Sequence, residues 1–386
     1  MDSTMLAEWV ARLVRIPSVN PVQAGPKAGI AGEKAMAESL AGCFADLGGE
    51  VHLVESDEPE AGDDRPNVYG IWRGSSDRWI ALDVHTDTVG VEHMTVDPFD
   101  GRIEDGRVYG RGSVDTKASL GVMMAVLEEL QQQGRGPVDN LLVAGTISEE
   151  SGMHGAKSFA RWLKGRGLVL DELMVSEPTM TTPIYGHKGG LGIEVVVRGE
   201  AAHSSKPHLG KNAIVAAASV INALAAEHDR LQTLEPATEL GNGTLTVSII
   251  EGGAARNIVP DRCLLNAGRR LVPPEQPDEE FARLVSIVEQ ACPLPVEVER
   301  ITQGHAAFYQ QPASEWLARL ASWSGAKPDV APYGTNALHY ADVAREIVVM
   351  GPGSIDQAHK EVEWVEMTEL ARSAEVLARW VGSSPG

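Results

Sequence analysis

Apolar and polar positions alternate in blocks along this chain, and the period of each block predicts its secondary structure. NVYGIWRG (67–74) and RWIALDVHTDT (78–88) read as strands. TKASLGVMMAVLEELQQQG (116–134) has a helical period, with Leu120, Met123, Met124, Leu127 and Leu130 predicted on one face and Gly134 as its stop. The strand NLLVAGTIS (140–148), the helix GAKSFARWLKGRG (155–167) and the strand ELMVSEP (172–178) follow. Short apolar strands alternating with helices predict a parallel sheet covered on both faces, a doubly wound α/β domain. Between them, VDPFDGRIEDGRVYGRG (96–112) carries Asp-Gly turn signals and reads as a loop or small hairpin.

The pattern changes near residue 185. GLGIEVVVRGEA is a strand, KNAIVAAASVINALAAEHDRL a helix, GTLTVSIIEGG and RCLLNAGRRLV strands, PDEEFARLVSIVEQA a helix and LPVEVERI a strand. That order, βαββαβ, predicts a ferredoxin-like α+β unit. SEWLARLASWSG, EIVVMGPG and MTELARSAEVLARWVG then return to helix, strand, helix. The expected organisation is a domain of residues 1–184 and 303–386, interrupted by a lid of residues 185–302. A chain of 386 residues is long for one core, which agrees with two domains.

Composition adds exclusions. The formal net charge of -21 repels phosphate backbones, so nucleic acid is not an expected partner. Cys43, Cys263 and Cys292 are too few and too scattered for a thiolate metal site or a disulfide framework. The N-terminal twenty residues read as an amphipathic helix rather than a secretory signal, and no apolar run is long enough to span a bilayer. The expectation is a cytoplasmic protein with no membrane partner.

The chemistry gathers at strand ends. His85 and Asp87 follow one buried strand, Glu149 and Glu150 end a second, and Glu177 ends a third. Asp115 lies between a Gly-rich loop and a helix, and His359 in the loop after EIVVM. In open α/β sheets, ligands bind outside the carboxyl ends of the strands. Read singly, each residue has an ordinary role: a helix cap for Asp115, a solvated turn for the glutamates, a partner of His85 for Asp87. Read together, imidazoles and carboxylates without thiolate suit zinc, cobalt or manganese. They exceed what one catalytic zinc needs, and two ions bridged by a carboxylate would use them all. One glutamate of the adjacent pair would then be a ligand and the other a base.

HTD (85–87), GRGSVDTKAS (110–119), SEESG (148–152), SEPT (176–179), AHSSKPHLGKNAI (202–214) and GPGSIDQAHKEVEW (351–364), in that order, resemble the di-zinc aminoacylase and carboxypeptidase metallopeptidase family. The resemblance runs from about residue 5 to the C-terminus, and EPT, GHKGG and GPGSIDQAH look most like its acetylornithine deacetylase branch. It implies a two-zinc hydrolase of N-acyl amino acids or short peptides, with cobalt or manganese as substitutes, acting as a homodimer. Carried over by motif, His85 and Glu177 would hold one ion, Glu150 and His359 the other, and Asp115 would bridge them. Glu149 would be the general base and Asp87 would orient His85. His203 would reach the partner subunit's site and steady the oxyanion. Asn257 and Arg270 would contact substrate.

Three departures stand out against that pattern. Asn336 in YGTNALHYAD replaces an acid and bears on which amine the substrate-binding pocket takes. Gly268 stands where Asp is common, and Thr116 and Ser119 where Met and Gly are usual. The same metal centre would serve a desuccinylase, a dipeptidase, a glutamate-type carboxypeptidase or a hydrolase of an unusual amide or aromatic amine. An inactive binding homologue would require a broken ligand set, and the set here is complete.

Overall fold

A computed structural model describes residues 1–29, 31–56 and 65–383 and divides the chain into two compact units. The first comprises Met1–Tyr185, Gln310–Asp329 and Thr335–Gly386, and the second Gly186–Tyr309 and Val330–Gly334. The inserted unit runs past residue 302 because the short strand Phe308–Tyr309 pairs back onto Gly186 and His187.

In the first unit, helix α1 (Ser3–Val14) is capped by Asp2, whose carboxylate accepts the Thr4 N–H at 2.9 Å. Helix α2 (Lys34–Asp46) and strand β1 (Glu50–Val54) follow; neither was evident from the polarity pattern. Then come β2 (Asn67–Trp72), β3 (Trp79–His85), a hairpin of β4 (Ile103–Glu104) and β5 (Arg107–Tyr109), α3 (Lys117–Gln132), β6 (Asn140–Thr146), α4 (His154–Gly165) and β7 (Leu170–Val175). The sheet order is β1-β2-β6-β3-β7, continued by the strand Ala344–Val349. Strands β6, β3, β7 and Ala344–Val349 are mutually parallel, whereas at one edge β2 pairs antiparallel with β6 and β1 antiparallel with β2.

The order explains where a site can form. From β3 the chain crosses through α3 to β6 on one side, then through α4 back across β3 to β7 on the other. Right-handed crossovers in opposite directions put α3 and α4 on opposite faces, and the reversal leaves a crevice at the strand ends. Helix α3 corrects the one-face expectation: every residue from Lys117 to Leu127 is buried. It packs between α1 and the C-terminal helix Met367–Gly382 as well as toward the sheet, so its far side, with Ala118, Val122 and Ala125, is also covered.

The second unit has the βαββαβ order. Its strands Gly189–Arg198, Thr244–Gly252, Arg262–Leu271 and Val296–Arg300 form an antiparallel sheet in which the second and fourth strands lie at the edges. Leu191, Ile193, Val195, Leu265 and Ala267 bury one face of this sheet against Ala213, Ala217 and Val220 of helix Ala213–Gln232 and Leu284 and Val288 of helix Pro277–Ala291. Period-2 alternation on strands and period-3.6 alternation on helices supply these facing surfaces. Among the described residues, no helix is long and apolar enough to cross a membrane. The three cysteines are free.

Candidate metal centre

The crevice of the first unit collects its polar groups from four strand ends. Each parallel strand delivers its last residues to the same edge: His85 from β3, the turn after β6 with Glu149 and Glu150, Glu177 after β7, and His359 beyond Ala344–Val349. Asp115 comes from the turn that opens α3.

Two groups form there, sharing Asp115. Ligand-type atoms of His85, Asp115 and Glu177 lie within 4.8 Å of one another, and so do those of Asp115, Glu150 and His359. Asp115 Oδ1 is 3.0 Å from His85 Nε2, while its Oδ2 is 3.2 Å from His359 Nε2. One carboxylate therefore points an oxygen at each imidazole. His359 Nε2 is also 3.0 Å from Glu150 Oε1.

The buried carboxylates of this cluster need positive charge beside them. Burial pushes the Glu177 carboxyl well above its usual range, and the charges of Glu149 and Asp115 push it further. Glu149 is raised well above its usual range by burial and by the neighbouring Glu150 and Asp87, against the opposing pull of His85. Burial opposes charge on His85, but hydrogen bonds with Asp115 and Asp87 outweigh it and raise the ring well above its usual value. Asp115 and then Glu150 hold His359 up to about 10. Carboxylates crowded in a low-dielectric crevice are strongly unfavourable without a counter-charge. Oxygen and imidazole donors at this spacing fit divalent metal ions.

A second layer holds these groups in place. Asp87 Oδ1 accepts the Glu149 N–H at 2.9 Å, and Oδ2 accepts the Glu150 N–H at 3.1 Å and the Asn20 amide at 2.9 Å. The Asp87 carboxylate thus organises the glutamate turn. The nearer partner of His85 Nδ1 is the Asp87 main-chain carbonyl at 3.0 Å, with carboxylate Oδ1 at 3.6 Å. Ser148 has a left-handed backbone (φ 59°), a conformation unusual outside glycine, and buried Glu33 accepts its N–H at 3.1 Å. Gln23 donates to the Glu150 carbonyl at 3.0 Å. Asn20, Gln23, Glu33, Arg111 and Glu363 were not anticipated. The one local signal was the charge of Arg111 and Glu363 inside the Asp115 and His359 motifs.

The departures from the motif pattern have local explanations. Thr116 Oγ1 donates to the His85 carbonyl at 3.1 Å, and the Ser119 hydroxyl is paired with that of Ser176. Gly268 has open space where a side chain would stand. Asn336 is fully buried; its amide donates to Asp83 Oδ2 at 3.1 Å and to Thr146 Oγ1 at 3.2 Å.

In the second unit, the residues His203 and Asn257 are neighbours. The two-residue ladder Ala202–His203 pairs with Ile258–Val259, and the Ser204 N–H donates to the Asn257 carbonyl at 2.9 Å. His203 is exposed, with Nδ1 at 2.7 Å from Ser205 Oγ. Arg270 is exposed on the sheet face opposite the helices, cross-strand from Thr244 and Gly190.

Comparison with known proteins gives the family. The family model for peptidase family M20/M25/M40 matches residues 81–383. An acetylornithine deacetylase of Myxococcus xanthus is 31% identical over 335 residues, covering 83% of this chain and 85% of that protein. Among solved structures, a tripeptidase of Staphylococcus aureus superposes with a TM-score of 0.78 at 21% identity, covering 99% of this chain and 98% of that one. A dinuclear metal-binding peptidase of the M20 family from Bacillus subtilis superposes with a TM-score of 0.67 at 14% identity, covering 97% and 96%. The chain belongs to peptidase family M20/M25/M40 and is a metal-dependent hydrolase of amide bonds.

Proposed function

We propose that this chain hydrolyses the amide bond of an N-acyl amino acid, with an acetylornithine-like substrate favoured. The observation that carries the reading is Asp115, whose two oxygens face His85 and His359 at 3.0 and 3.2 Å with Glu177 and Glu150 alongside. The acetylornithine deacetylase relative and the dinuclear B. subtilis peptidase support it.

His85, Asp115 and Glu177 would hold one ion, and Asp115, Glu150 and His359 the other. When bound, such ions, taken as zinc with cobalt or manganese as substitutes, would supply Lewis acidity toward the amide carbonyl and toward a water. Glu149, steered by the Asp87 contact to its N–H, takes the proton from the attacking water and passes it to the departing amine. His203 from a facing protomer donates a hydrogen bond to the developing oxyanion, where such contacts are worth most. Arg270 and Asn257 hold the substrate carboxylate or carbonyl.

The same reading makes the enzyme a cytoplasmic homodimer formed through the inserted unit. Its edge strand exposes Ile249 and Ile250, and the first turn of helix Ala213–Gln232 exposes Ile214 and Val215. Exposed apolar groups beside an unpaired strand edge suit a symmetric contact.

The test is hydrolysis by zinc- or cobalt-loaded enzyme over a panel of N-acetylornithine, other N-acetyl amino acids, N-succinyl-diaminopimelate, a dipeptide and a folyl-glutamate. Glu149→Ala serves as the blank. Preference for N-acetylornithine is expected; a preference for the succinyl or peptide substrates would replace the deacetylase reading.

A further inference from the structure

Asp115 and His359 lie in loops far apart in sequence, yet one buried ion pair grips both. Arg111 and Glu363 have side-chain exposures of 1% and 0%. Glu363 Oε1 accepts the N–H of Val114 at 3.1 Å and that of Asp115 at 3.3 Å, and its other oxygen pairs with Arg111 Nη1. The second fork of the guanidinium turns to the His359 loop. Arg111 Nη2 donates to the carbonyls of Lys360 and Gly90, each at 3.3 Å, and lies 3.2 Å from His93 Nε2. That same His93 nitrogen is 3.1 Å from the His359 carbonyl. His359 itself has a left-handed backbone (φ 62°), which its surroundings must hold in place.

A buried ion pair is weak as a stabilising device, because desolvation offsets most of its attraction. What this pair does have is direction. A planar fork can bind a carboxylate on one side and main-chain carbonyls on the other, a span that a single ammonium cannot cover. We infer that Arg111 and Glu363 are positioning residues that fix the separation of Asp115 from His359, and so set the second ion site of the proposed pair. The inference rests on the two-ion reading. Groups that orient metal ligands typically change metal affinity 10–100-fold when removed, on the order of what a direct test can read.

The test titrates chelator-treated enzyme with Co2+, followed by visible absorption and calorimetry, beside thermal melts of the same protein without added metal. Wild type should take two ions. Arg111→Lys keeps a charge beside Glu363 but loses the grip on the His359 loop. It should bind its first ion within about threefold of wild type and its second at least tenfold more weakly. Breaking a buried pair one-sidedly also threatens folding. The double variant Arg111→Met with Glu363→Gln removes both charges; it should melt near wild type and show the same selective loss. Two wild-type affinities in both variants would overturn the clamp, as would parallel loss of both ions together with the melt. A wild type that takes a single ion would instead sink the two-ion reading, and the clamp with it.

Discussion

Asn336 donates its side-chain amide to Asp83 at 3.1 Å, on the strand that ends in His85. Asp83 is fully buried and also accepts the Tyr340 hydroxyl at 2.7 Å and the Thr146 hydroxyl at 2.7 Å. An amide at 336 complements a carboxylate at 83; an acid at 336 would face it with like charge. Asn336→Asp should therefore destabilise the enzyme by about 1–3 kcal/mol or more, and Asp83→Asn should restore much of that loss. Denaturant melts of the two single variants and the double variant supply the cycle. Purely additive losses would show that the two residues are not coupled. Asn336→Ala should lower stability while leaving KM near wild type, and a large rise in KM would return Asn336 to the substrate.

Glu149 and Glu150 should separate cleanly. Glu149→Ala is expected to lower kcat by at least about a thousandfold with metal content nearly intact, as loss of a general base does. Glu150→Ala should lose about one ion per chain. Metal analysis of both proteins checks this, and clear metal loss from Glu149→Ala would exchange the two roles.

His203→Ala should reduce kcat by well over tenfold, a barrier rise above about 1.4 kcal/mol, with a smaller change in KM. Steady-state kinetics decide it. Turnover within tenfold of wild type would remove His203 from the oxyanion role.

Glu227, in the inserted unit, predicts a pH effect on stability. Its carboxylate accepts Arg230 Nε and Nη2 at 2.7 and 2.8 Å and Arg283 Nε at 2.9 Å. The Arg230 hydrogen bonds, with Arg283 adding, hold its carboxyl below the usual carboxylate value. A folded-state value below the unfolded one, about 4.3, gives stability that is present above that pH and lost as pH falls through the lowered value. Both guanidiniums are substantially exposed, so solvent screening limits the gain to about 1 kcal/mol. Glu227→Gln should be less stable than wild type at pH 7, with the gap closing in acid. A gap that is constant across pH would mean that charge is not its source.

The strand ends were readable because local sequence reports them. Short, nearly continuous apolar runs marked β2, β3, β6 and β7, and the first polar residue after each run had to lie at the sheet edge. Helix α2 was missed because its apolar residues are mostly small and evenly scattered. The burial of α3 was misjudged because alanines, serine and glycine on its far side carry little polarity signal, although neighbouring helices cover them.

Periodicity and motif spacing are local properties, so they carry the kinds of groups at the crevice, the order in which they arrive and the ferredoxin-like insertion. Long-range packing alone sets Asp115 between two imidazoles, the Asp87 carboxylate on the glutamate turn, Glu363 on the Asp115 backbone and the Asn336 amide on Asp83. Those contacts join residues 30 to 253 positions apart. Hydrophobic pattern tells which face a side chain presents; strand order tells which face it meets, and that order is fixed by the crossover of the whole chain.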